Sequence, residues 1–163
     1  MMNKSDNGFM TRVWGPMLWT VLHMISLNYP VEPTPQHQRQ YKRFFRTLMY
    51  VLPCGACRKS YRYFILRHPV VKIRDEIFTN RETLSKWLFT LHNVVNHKLR
   101  KHQATNFQRS MNFYERFRAQ CGKGSKDSKG CYTPVRGPRK RCIIRIVNLN
   151  ASKGKRSVVC ART

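Results

Sequence analysis

The sequence predicts an all-α fold, a bundle of four amphipathic helices with a short fifth helix, followed by a basic tail. Three observations lead there. Aromatic and aliphatic residues recur at offsets of three and four along most of the first 118 residues. Before position 119 no sizeable segment alternates with period two, the mark of a half-buried strand. The apolar runs are separated by Tyr29-Pro30, Pro53 and His68-Pro69, where proline denies a helix its backbone donor.

Each element has its own signal. Trp14, Leu18, Leu22 and Ile25 line one face of a first helix that stops at Tyr29-Pro30. Thr34-Pro35 then pairs an N-cap with proline at the first helical position, where the missing N–H is not needed. Behind it, Tyr41, Phe44, Phe45, Leu48 and Leu52 stripe a second helix reaching Pro53. A third, shorter helix starts around Cys54 and runs through Tyr61, Phe64 and Ile65 to His68-Pro69, so its first turn holds both cysteines of Cys54-Gly55-Ala56-Cys57. Thr79-Asn80-Arg81-Glu82 has the form of a capping box, and Leu84, Leu88, Leu91 and Val95 stripe the fourth helix behind it. Phe107, Met111, Phe113, Tyr114 and Phe117 mark the fifth.

The chain has 163 residues, enough for one domain with a core. Leu, Ile, Val and Phe number 39, which excludes wholesale disorder. No apolar run reaches the roughly 18 residues of a membrane span, and the first residues lack the apolar stretch of a secretory signal, so a soluble protein is expected. Lys and Arg number 32 against 7 Asp and Glu, a net charge of +25 that favours contact with polyanions. The charge is uneven: residues 119–163 carry 12 basic residues and 1 acidic one, five of the eight glycines and only 1 of the 19 aromatics. The expected division is therefore a packed domain over 1–118 and a basic, partly disordered tail over 119–163, in which only Cys142-Ile143-Ile144-Arg145-Ile146-Val147 has strand character.

The first chemical signal is Cys54-x-x-Cys57 at a helix start. Unpaired backbone N–H groups and the positive end of the helix dipole favour a thiolate there, and Arg58, Lys59 and Arg62 add to that field. Three residues of separation let two sulfurs close a bridge, which suits disulfide exchange. The same spacing is half a zinc site, but 39 residues separate Cys57 from His97-x4-His102, far beyond the zinc-finger spacing of about 12. An inert buried pair is the third reading. A second signal is polar: Trp19 and His23 share one helical face, His92 and Asn96 another, with Asn93 beside them. These are either satisfied core or surface groups or the walls of a site for a planar, polar cofactor lodged between helices.

The order of these strings carries a resemblance. Trp14-Gly15-Pro16-x-x-Trp19, Leu22-His23, Tyr29-Pro30, Pro53-Cys54-x-x-Cys57 and Trp87-Leu88-x-x-Leu91-His92-Asn93-x-Val95-Asn96-x-Lys98-Leu99 resemble the Erv/ALR family of FAD-dependent sulfhydryl oxidases over roughly residues 12–118. The resemblance implies FAD held at the mouth of the bundle, thiol-containing protein substrates, molecular oxygen as acceptor with hydrogen peroxide as product, and a homodimer. By the same analogy Cys54 exchanges with substrate and Cys57 lies against the flavin. Gly15, Trp19, His23, His92, Asn93, Val95, Asn96 and Lys98 fall at cofactor-binding positions, and Phe113 and Phe117 stand where relatives place tryptophans near the adenine.

Two departures stand out. Many relatives join the fourth helix to the fifth by a structural disulfide, where this chain has Phe89 and Asn106. Relatives with a shuttle disulfide often keep it upstream, yet no cysteine precedes Cys54; Cys121, Cys131, Cys142 and Cys160 all lie in the tail. The compact, basic chain looks like members carried by large DNA viruses, which implies host cytoplasm or virion, the mitochondrial intermembrane space being the cellular alternative. The tail is expected to contact a polyanion such as nucleic acid, the alternative being that a pair among Cys121, Cys131, Cys142 and Cys160 relays electrons from protein substrates to Cys54–Cys57. The competing function is a basic nucleic-acid-binding protein with a zinc or structural cysteine pair; a thioredoxin-like fold is disfavoured by the lack of strands upstream of Cys54.

Overall fold

A computed structural model describes residues 8–120 and 133–136. Its elements in chain order are α1 (Thr11–Leu27), α2 (Pro35–Val51), α3 (Gly55–Arg67), a 3-10 turn (Asp75–Phe78), α4 (Arg81–Lys98) and α5 (Phe107–Glu115), then β1 (Ala119–Gln120) paired antiparallel with β2 (Thr133–Pro134). The described residues fall into two compact units, divided between Tyr114 and Glu115. The expected tail strand and the tail cysteines lie outside the described residues.

The helix boundaries follow the punctuation in the sequence. Thr34 caps α2 through its side chain, with Pro35 at the first position, and His37 completes the box in place of the usual glutamate. At α4 the expected box is displaced by one residue: Asn80, not Thr79, accepts the Thr83 N–H, and the Thr83 hydroxyl takes the Asn80 N–H. Thr79 is occupied instead in closing the 3-10 turn, its hydroxyl donating to the Glu76 carbonyl. At its other end α4 closes before Arg100, whose φ of 52° is left-handed.

In the first unit α1 packs on α4, α2 on α3, and the 3-10 turn bridges α2 and α4. Leu22, Phe45, Ile65, Leu84, Leu88 and Leu91 are central to the core. Three buried aromatic side chains donate to carbonyls of other elements at 2.9 Å: Tyr29 after α1 to Phe78 of the 3-10 turn, Tyr61 of α3 to Phe45 of α2, and Trp87 of α4 to Val71 in the loop after α3. Each ring therefore buries apolar area while its polar tip keeps a partner. Among the described residues no helix is long and apolar enough to cross a membrane.

Candidate active site

Cys54 and Cys57 are joined in a disulfide with their Cα atoms 5.1 Å apart. Cys54 is the N-cap of α3, its backbone extended, and its sulfur accepts the Cys57 N–H at 3.2 Å. The helix start thus aims backbone N–H groups and its positive dipole end at the sulfurs, which stabilises a thiolate once the bridge is reduced. The two sulfurs differ in setting: Cys57 packs against the apolar core, and Cys54 is not part of that packing. The Arg58 guanidinium holds the preceding turn by donating to the Leu52 carbonyl at 2.8 Å.

The segment before α1 lies on the same turn. The Phe9 N–H donates to the Pro53 carbonyl at 2.8 Å, and the Trp14 indole N–H donates to the Phe9 carbonyl at 3.0 Å. A Cβ at Gly8 would stand 2.3 Å from the Pro53 oxygen and 2.6 Å from the Cys54 Cα, so this approach needs glycine.

The polar residues of α1 and α4 meet in a second cluster. His23 Nε2 and His92 Nδ1 are 3.1 Å apart, one donating and one accepting, so the accepting ring is neutral at that nitrogen. Trp19 stacks on His92 with ring centroids 4.0 Å apart and planes 6° from parallel. Tyr114 of α5 stacks on the other histidine, His23, at 4.8 Å. His23 is only 2% exposed, and its Nδ1 has no hydrogen-bond partner among the described residues. Burial first, and then the neighbouring His92, lower its pKa to about 3. Burial and the Lys101 ammonium lower that of His92 to about 4. Burial likewise raises the pKa of the Tyr114 hydroxyl.

The other expected site residues are spread around this cluster. Asn96 and Val95 are half-buried on α4, Val95 against the core. Asn93 spends its amide on the loop to α5, donating to the Ala104 carbonyl at 2.8 Å and accepting the Ala104 N–H at 3.0 Å. Lys98 bonds to the Ser60 hydroxyl and stands over the Phe64 ring, joining α4 to α3. Gly15 has open space where a Cβ would go. Phe113 is half-exposed and edge-on to Tyr114, whereas Phe117 belongs to the second unit. Tyr114, counted in the sequence only as part of a helical stripe, is the α5 ring that reaches His23. The offsets of Phe107, Met111 and Tyr114, namely 0, 4 and 7, put these three on one face and could have singled it out.

Helix α5 is attached without the second disulfide. Phe89 meets Phe107 edge-on at 5.6 Å, Met111 is buried, and the Asn106 side chain accepts the Arg109 N–H at 2.8 Å as an N-cap. An aromatic contact and a cap thus stand at the two positions where the resemblance led to the expectation of no bridge. Among the described residues no group of three or more His, Cys, Asp or Glu is placed to hold a metal ion.

These features define the class: an all-α bundle with a Cys-x-x-Cys disulfide at a helix start and a stacked aromatic and histidine cluster between helices. The model of the Erv1/Alr family matches residues 16–118, and the chain belongs to that family. A probable FAD-linked sulfhydryl oxidase of Acanthamoeba polyphaga mimivirus is 40% identical over 92 residues, covering 56% of this chain and 62% of the relative. The mitochondrial FAD-linked sulfhydryl oxidase of Saccharomyces cerevisiae is 35% identical over 88 residues, covering 53% of this chain and 43% of the yeast protein. The chain thus spans less than two thirds of the length of these relatives. The crystal structure of the yeast Erv1 core gives a TM-score of 0.53 at 29% identity, covering 71% of this chain and 88% of that one. The FAD binding domain of yeast Erv1 gives 0.50 at 33% identity, covering 62% and 86%.

Proposed function

We propose that this chain is an FAD-linked sulfhydryl oxidase that makes disulfides in thiol-containing proteins. The observation that carries the reading is the asymmetry of the bridge: a Cys54 sulfur at the helix N-cap, outside the core packing, joined to a Cys57 sulfur packed against the core. A substrate thiolate attacks Cys54 Sγ, a new S–S bond forms, and the Cys54–Cys57 bond breaks with Cys57 leaving as thiolate. The helix N-terminus stabilises that leaving sulfur. A second substrate thiolate then attacks the substrate sulfur of the mixed disulfide, releasing oxidised substrate and Cys54 thiolate. Two electrons from the dithiol now reside on the cysteine pair, and its two protons have gone to solvent. FAD held beside Cys57 would supply the two-electron acceptor for this pair, with molecular oxygen as the final oxidant and hydrogen peroxide as product.

The residues present fit such a cofactor. The cluster offers flat faces in Trp19 and Tyr114, an orphaned buried donor or acceptor in His23 Nδ1, polar edges in His92 and Asn96, and an ammonium in Lys101 whose field already reaches His92. Neutral imidazoles suit it: with His23 Nε2 and His92 Nδ1 bonded to each other, His23 Nδ1 and His92 Nε2 remain, one a donor and the other an acceptor, for a heterocycle's edge. Trp19, His23, His92, Asn96 and Tyr114 would hold the ring system, with Lys98 and Lys101 near its phosphates. Purified protein should absorb near about 450 nm, as flavoproteins do, and oxidise a small dithiol with peroxide release; colourless protein without dithiol turnover overturns the reading.

A homodimer fits the same picture. Val13, Met17 and Val21 recur every four residues on α1 with exposures of 49%, 39% and 51%, an apolar stripe that a second copy would cover. Replacing Val13 and Val21 by Glu should yield a monomer in light scattering; an unchanged mass places the dimer contact elsewhere.

A further inference from the structure

From position 33 to position 74 the sequence contains ten Lys and Arg and no Asp or Glu. That stretch is α2, the disulfide turn and α3, and the two helices pack against each other. On α2, Arg39, Lys42, Arg43 and Arg46 follow at offsets 0, 3, 4 and 7, one helical face, and line a shallow groove that ends at Tyr50. On α3, Arg58 and Arg62 follow Cys54 at offsets four and eight, the same side of that helix. Lys42 alone of the α2 row pairs with a carboxylate, Asp75 of the 3-10 turn. Arg39, Arg43, Arg46 and Arg62 have no carboxylate partner among the described residues.

The charge of the α2 arginines does not stabilise the fold. Like charges four apart on a helix repel, and the first turns of α2 and α3, where the dipole favours carboxylates, carry none. It does act on whatever approaches Cys54, because exchange begins with an incoming anion, the substrate thiolate. Arg58 and Arg62 stand within about two turns of Cys54, whereas Arg39, Arg43 and Arg46 lie further back along α2, so the α2 row acts on an approaching substrate at low salt, where the Debye length is about 30 Å, and is screened at about 8 Å in physiological salt.

We propose that the α2–Cys54–α3 face selects thiol substrates whose cysteines are flanked by Asp and Glu. The inference rests on the oxidase reading above and adds the substrate's charge to it. An acidic thiol protein brings this face both carboxylates for the arginines and a thiolate for Cys54, whereas a polynucleotide brings only phosphates.

The test uses the full chain with its flavin and three substrates: dithiothreitol, and two dithiol peptides identical except that Glu flanks the cysteines in one and Lys in the other. At low ionic strength kcat/KM for the Glu peptide should exceed that for the Lys peptide by on the order of tenfold, as electrostatic steering allows, and the ratio should collapse toward one in high salt. Arg39→Glu/Arg43→Glu/Arg46→Glu should lower the ratio severalfold while leaving dithiothreitol turnover and flavin absorbance unchanged. If the triple variant fails to fold, the Gln versions and the salt series on the wild type carry the same test. A ratio near one at low salt, with dithiothreitol oxidised normally, overturns the proposal and spares the oxidase reading; no dithiothreitol oxidation by flavin-loaded protein overturns the oxidase reading itself. If single-stranded DNA binding is lost in the triple variant while the peptide ratio stands, the arginines serve a nucleic acid and the selection is not theirs.

Discussion

The disulfide turn and the histidine cluster are built in opposite ways. Cys54 and Cys57 are three residues apart, and one helix start places both. His23 and His92 are 69 residues apart and meet only because α1 packs on α4 and α5 adds Tyr114. The turn draws its chemistry from local backbone geometry, so changing a sulfur leaves the bundle intact. The cluster draws its geometry from the bundle and gives stability back when filled. Chemistry should therefore separate cleanly from folding at the first region and not at the second.

The largest effect belongs to the turn. Cys54→Ser and Cys57→Ser should each abolish dithiol turnover while flavin content and melting temperature stay near wild type, because neither sulfur is needed to hold the ring. Only Cys54→Ser leaves a Cys57 thiolate against the core, and only it should add a long-wavelength absorbance band to the flavin spectrum. The band in Cys57→Ser instead would reverse the two roles.

Acid should act on the cluster next. Both imidazoles are held neutral, with pKa values of about 3 and about 4 against the ordinary 6.5. Between those limits the unfolded chain binds protons that the folded chain refuses, so stability is full above pH 6.5 and falls as pH drops toward 4. At about 1.4 kcal/mol per pH unit for each ring, two rings give a slope of about 3 kcal/mol per unit. Melting temperatures from pH 7.5 to 4.5 measure it; a flat profile would mean that the rings protonate without leaving their places.

Smaller again is His92→Ala/Asn96→Ala, which strips polar edges from α4 and spares its leucine stripe. Flavin occupancy should fall and the melting temperature with it, since a ligand at 100 times its Kd contributes about 2.7 kcal/mol. Full occupancy in the double variant would move the cofactor away from α4. The smallest effect is Asn106→Ala, which removes the cap of α5 and should cost about 1 kcal/mol. Faster amide exchange confined to α5, with Tyr114 fluorescence altered, would show that the cap keeps the ring over His23.

The same contrast governs what the sequence could reveal. Thr34-Pro35, Pro53 and the Cys-x-x-Cys pair are local signals, and the helices begin and end where those residues say. The box at α4 is displaced by a single residue because Thr79 and Asn80 are both competent caps, and the choice is made by the 3-10 turn that consumes Thr79. That turn is four residues long, too short for any period to register. The Trp19, His23 and His92 group was readable as candidate cofactor walls, but its stacking order was not, because it depends on the angle at which α1 meets α4. Tyr114 rather than Phe113 reaches His23 because α5 turns inward the face that carries the buried Met111.

The fit of Gly8 against Pro53 and Cys54 has a practical side. A truncation that removes residues 8 and 9 would strip the Pro53 carbonyl and the Trp14 indole of their partners, and any side chain grafted at position 8 would press on the backbone of the reactive cysteine. A tag joined directly at Gly8 would therefore sit next to the chemistry, and such a fusion is a deliberate way of obstructing Cys54.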